Sequence, residues 1–153
     1  MKKNLVFLLL IFAGSALWGQ TSSFMDQLLK SSNLTWGQAS YLVLVASNNL
    51  AEDVTEQRSF DLLKQLKWAP ANTPIDAAVS LQEYAFLLMK SFGIHGGMWY
   101  SIFPSPRYAF RELTYRMILS PSEDPDSRIN GTRAIRILGR VMDVWGSKNG
   151  ANE

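Results

Sequence analysis

Apolar residues recur at helical spacing in several stretches of the chain, most clearly after Asn130. There Ala134, Ile137, Leu138, Val141, Val144 and Trp145 share one face, and Arg133, Arg136, Arg140 and Asp143 share the other. This pattern predicts a helix from Asn130 to about Trp145. Similar runs predict helices from Ser80 to about Phe92 and from Thr35 to about Ser47. Alone, the run YLVLVA at 41–46 fits a buried strand as well as a helix, and its register with the other two decides for helix. Earlier helices are predicted at SFDLLKQLKW, 59–68, and at PRYAFRELTYRMIL, 106–119, where Ser105 and Pro106 suit the N-cap and first helical positions. The stretch FMDQLLKSS at 24–32 predicts a short capping helix.

The pattern is also self-similar. A shift of 50 positions places Leu63 on Leu113, Asp76 on Asp126, Val79 on Ile129, Ser80 on Asn130, Leu87 on Ile137 and Leu88 on Leu138. A shift of 45 places Leu34 on Val79, Thr35 on Ser80, Gln38 on Glu83 and Leu42 on Leu87. Each copy has an apolar residue, a hydroxyl or amide residue, and then a helix-forming run. Thr35 with Gln38 and Ser80 with Glu83 spell capping boxes, and Asn130 can cap although Arg133 cannot complete a box. Turn-rich connectors, APANTPIDAA and SPSEDPDSR, separate the two helices of each full copy. The expected organisation is a partial unit at 24–50, full units at 59–94 and 106–145, loops at 48–58 and 93–106, and a disordered tail at 146–153.

The N-terminus changes the charge argument. Lys2 and Lys3 precede an apolar run from Leu5 to Ala13, followed by Gly14, Ser15, Ala16 and Gly19, so residues 1–19 are expected to be a signal peptide. An uncleaved anchor is the alternative, but the run is short of the roughly 20 apolar residues that span a bilayer. The chain carries 15 basic and 13 acidic residues, and without Lys2 and Lys3 the two signs balance. The basic excess therefore gives no support to nucleic-acid binding. With no cysteine, disulfides, thiolate metal sites and a lipoprotein anchor are ruled out. One compact domain is expected, without membrane insertion after signal cleavage.

The segments LLKQLKWAPANTPIDAAVSLQEYAFLLMKSFGI and FRELTYRMILSPSEDPDSRINGTRAIRILGRVM, with LTWGQASYLVLVAS as a truncated third, resemble the S-layer homology domain. The resemblance implies an all-α fold of helix–loop–helix repeats packed into one small domain. It further implies noncovalent attachment of an exported protein to cell-wall polysaccharide or peptidoglycan. The family's helix start follows the pattern Ile-Thr-Arg-Ala-Glu-Phe. Here Trp36, Leu81 and Gly131 occupy the Arg position, and Glu83 and Tyr84 alone keep the second half. The resemblance thus bears on the scaffold more than on the ligand.

The candidate binding residues fall in two groups. In HGGMWYSIFPSPRYAFR, Trp99 and Tyr100 precede Arg107 and Arg111, a combination suited to stacking on sugar faces with a cation for a carboxylate. The competing reading is that these aromatics cover a seam between repeats. Arg133, Arg136 and Arg140 form a basic stripe, either a surface for an anionic partner or a solvated helix face. His95 is the single histidine and makes a poor metal ligand alone, and no nucleophile motif accompanies it. No cofactor or metal is expected. The expectation is an exported, non-catalytic envelope module that recognises cell-wall glycan or an envelope protein. The alternatives are a structural subunit that binds only protein, and a glycan hydrolase using Glu83 and Glu112 across a common cleft.

Overall fold

The computed structural model describes residues 16–146. Most of the expected signal segment at 1–19 and of the tail at 146–153 lies outside the described residues. The fold is all-α, with seven helices among the described residues: α1 (Ala16–Lys30), α2 (Trp36–Ala46), α3 (Glu56–Gln65), α4 (Leu81–Ser91), α5 (Met98–Ile102), α6 (Pro106–Tyr115) and α7 (Gly131–Val141). A π-turn, Met142–Gly146, continues α7.

The caps account for where the three inner helices begin. Thr35 and Gln38 form a reciprocal capping box at α2, Ser80 and Glu83 do so at α4, and the Asn130 side chain accepts from the Arg133 N–H at α7. These side chains satisfy the third helical N–H. At α2 and α4 the first two find partners on neighbouring backbone, and at α7 the first does. Trp36 and Gly37 donate to the carbonyls of Ala77 and Ile75, Leu81 and Gln82 donate to Ser127 and Pro125, and Gly131 donates to Ser31. Each helix start therefore leans on the segment that leads into another. Leu34 donates to Ile129 and Val79 to Leu34, so the three apolar residues before the caps meet at one buried hub.

Packing is out of step with the sequence units. α3 packs on α2, α6 on α4, and α1 on α7, so the first helix of each full unit rests on the last helix of the unit before it. The α1–α7 pair closes the arrangement from N-terminal to C-terminal end. The connectors run between these helix pairs and the hub. Tyr84 ties the hub together: it is fully buried on α4 and donates its hydroxyl to the Ala134 carbonyl on α7 at 3.1 Å.

Five elements differ from the sequence expectation. α3 begins earlier than residue 59, because Thr55 caps it by accepting from the Arg58 N–H, so the loop expected at 48–58 is shorter. α6 stops at Tyr115 rather than at 119, because Met117 takes a left-handed conformation and the chain turns Ile118 and Leu119 into the core. α7 ends at Val141 and the expected helical continuation is the π-turn. The loop expected at 93–106 contains the short helix α5, with Gly97 at its N-cap. The helix expected at 24–32 is the end of α1.

Left-handed residues close four of the helices. Asn48, Lys67, Gly93 and Met117 each have φ near +60° and each follows a helix C-cap. In each, the next N–H reaches back five residues, as from Trp68 to Leu63 and from Ile118 to Leu113. Asn48 and Gly93 are related by the 45-residue shift, and Lys67 and Met117 by the 50-residue shift.

Candidate ligand hollow between helices α5 and α6

The residues that open the three inner helices are not available to a ligand. Trp36, Leu81 and Gly131 are all buried at the first turn, beneath the neighbouring backbone that their N–H groups address. A long cation there would be driven into the core.

The exposed chemistry lies elsewhere, in an open hollow of about 200 Å3 between α5 and α6. Its first wall is Trp99, 57% exposed, lying nearly parallel to Tyr108 with ring centroids 6.5 Å apart and planes 14° apart. Its second wall is the face of α6 that carries Tyr108, Arg111, Glu112 and Tyr115, residues at helical i, i+3, i+4 and i+7 spacing. Tyr115 is 85% exposed at the rim. Arg111 is exposed and forms no ion pair among the described residues.

Glu112 on α6 and Arg116, its C-cap, hold the segment that carries Trp99. Glu112 accepts from the Gly97 N–H at 2.9 Å and from Arg116 Nε at 2.8 Å, and Arg116 Nη2 donates to the His95 carbonyl at 2.6 Å. Burial pushes the Glu112 carboxyl up, but the Gly97 N–H and the Arg116 hydrogen bond and charge outweigh it and hold the group below its ordinary range. Glu112 therefore stays ionised and its oxygens are engaged. Tyr100 faces inward: its hydroxyl is buried without a hydrogen-bond partner among the described residues, and burial raises its pKa to about 12.

The sequence candidates thus divide. Trp99, Tyr100 and Arg111 gather around one hollow, with Tyr100 contributing from beneath rather than as an exposed ring. Arg107 is exposed on α6 but does not line it. The basic stripe on α7 stands apart. Arg133 is paired with Glu123 at 2.8 Å, and Arg140 donates to the Ile118 carbonyl at 3.0 Å. Arg136 is exposed. Sequence reasoning did not single out Tyr108 and Tyr115; the signal was their spacing from Arg111 along one helix face.

The two carboxylates considered for hydrolysis line different hollows. Glu83 borders a groove of about 300 Å3 with Trp36, Lys67 and Trp68, and its Oε2 accepts from the Ser80 backbone and hydroxyl. Glu112 belongs to the hollow beside Trp99. Among the described residues no group of three acidic or histidine side chains is placed to hold a metal ion. No helix among them is long and apolar enough to cross a membrane. The fold and the hollow define an all-α protein with an aromatic, cationic surface depression. No family model matches the chain, and no curated protein or solved structure is significantly similar to it.

Proposed function

We propose that this chain is an exported, non-catalytic module of the bacterial cell envelope that binds acidic cell-wall glycan in the hollow between α5 and α6. The observation that carries the reading is the exposed Trp99 ring backed by Tyr108, with the Arg111 guanidinium, outside any ion pair among the described residues, on the same hollow. An aromatic face packs against the C–H face of a sugar ring, and an arginine fork matches a carboxylate. Glu112 does not compete for that fork, because its oxygens already hold Arg116 and Gly97.

Two further points favour an envelope module related to S-layer homology domains. The signal-like N-terminus implies export. The ring of helix starts, each donating to another unit's backbone, gives the repeated sequence a cyclic role that a unique helical bundle would not require.

A protein partner is the second reading. It is favoured by the apolar ridge beside the hollow, where Met98, Ile102 and Phe103 are 68%, 57% and 58% exposed. Sedimentation of the mature protein with purified sacculi separates the two. The glycan reading predicts co-sedimentation that is lost in Trp99→Ala and Arg111→Ala and retained in Arg136→Ala. Absence of sacculus binding, together with a stoichiometric envelope protein in a pull-down, would overturn it. Solubilisation of the sacculi would revive the hydrolase.

A further inference from the structure

We infer that Glu112, Arg116 and Trp145 are positioning residues for the hollow, coupling the placement of Trp99 to the C-terminal turn. The affinity part of this inference rests on the glycan reading above; the geometric part stands without it.

The segment between α4 and α6 carries Trp99, and side chains of α6 and its C-cap bind two of its backbone groups, the Gly97 N–H and the His95 carbonyl. One needs an acceptor and the other a donor, and the Glu112–Arg116 pair supplies both. The pair is itself joined at 2.8 Å with i,i+4 spacing, so neither end can leave without disturbing the other. Both side chains are largely shielded, at 15% and 31% exposure, which spares the pair much of the screening felt at an open surface. Gly97 is the N-cap of α5 and has no side chain to fix its own helix start, so the carboxylate fixes it from across the hollow.

The third member approaches from the opposite end of the chain. The Trp145 ring, in the π-turn after α7, lies 5.3 Å from the Arg116 guanidinium carbon. A cation over an aromatic face is attractive and restricts the side chain that carries it. The turn thus leans on the cation that holds His95. Because Tyr108 stands one helical turn before Glu112, the separation of the held segment from α6 also sets the stack of Trp99 on Tyr108 and its distance from Arg111. Arg116 and Trp145 do not line the hollow, yet its width depends on them.

The test reads backbone hydrogen exchange at residues 95–103 without ligand, and sacculus affinity, in the full mature chain. For Arg116→Ala both readouts are expected to change by about tenfold, the scale of one lost hydrogen bond to a charged group. Trp145→Ala is expected to change both by about threefold, with Trp145→Phe restoring them. Arg116→Lys keeps the charge but loses the planar fork whose Nε and Nη2 reach Glu112 and His95 separately, so it is expected to shift both readouts in the same direction and serves as the test variant if Arg116→Ala folds poorly. Unchanged exchange at 95–103 in both Arg116 variants overturns the clamp whatever the ligand. Faster exchange with unchanged sacculus affinity overturns the positioning role. Wild-type protein that ignores sacculi overturns the glycan reading and the affinity part with it, while the exchange result still decides the clamp.

Discussion

Gly131 lies so close to the end of α1 that a Cβ at this position would run into the Leu28 carbonyl oxygen and sit 2.6 Å from the carbon that bears it. The obstacle is backbone, which cannot rotate away as a side chain would. Gly131→Ala must therefore separate α7 from α1, the pair that closes the fold, and is expected to destabilise the protein by about 3 kcal/mol, the upper range for overpacking. Urea unfolding followed by circular dichroism measures this. A loss below about 1 kcal/mol, the lower end of that range, would mean that the α1–α7 contact is not maintained in solution.

Tyr84 reaches from α4 to the Ala134 carbonyl, and burial raises its hydroxyl far above the ordinary range, so it serves only as a neutral donor. Tyr84→Phe keeps the ring and leaves that carbonyl without this donor. The expected cost is about 1 to 2 kcal/mol in the same unfolding experiment, with helix content unchanged.

Met117 is 87% exposed and left-handed, with φ at +58°. A side chain there carries backbone strain and buries almost nothing in return. Met117→Gly is expected to stabilise the fold by about 1 kcal/mol, visible as a rise in Tm. Asn48 and Lys67 share the conformation, but an asparagine tolerates it well and Lys67 borders a groove, so glycine at either position is expected to gain less.

Glu112 gives the clamp a defined pH dependence. Its folded pKa is lowered from 4.5, so its ionised form contributes stability that is fully present above about 4.5 and is lost as pH falls through the lower folded value. Protection of the 95–103 amides should therefore fall below pH 4.5. Other carboxylates titrate in the same range, so the diagnostic quantity is the difference from Glu112→Gln, in which this component of the pH dependence should be absent.

Much of the fold was legible because its helix starts are written in short-range chemistry. Thr35, Ser80 and Asn130 cap the helices that their spacing predicted, and the same segments form the hub. The C-terminal ends were less legible. Met117 stops α6 although nothing in a methionine predicts a left-handed turn; burial of Ile118 and Leu119 imposes it. The pairing of α1 with α7 was also hidden, since the clue at Gly131 is a close approach between residues far apart in the chain. In the hollow, Trp99 and Arg111 were visible as residue types, whereas the inward placement of Tyr100 depends on tertiary neighbours, as does the engagement of Arg133 on α7 with Glu123. Glu112 was read only as a possible acid, because its partners Gly97 and Arg116 meet it through folding of the loop onto α6.

The most direct test of the account is a nuclear magnetic resonance titration of the labelled mature protein with soluble, acidic peptidoglycan fragments. Ligand in the hollow should shift the Trp99 indole N–H and the Arg111 Nε–H together while leaving the signals of Arg133, Arg136 and Arg140 in place. Shifts centred on the α7 arginines, or a Trp99 signal unmoved at saturating fragment, would contradict it.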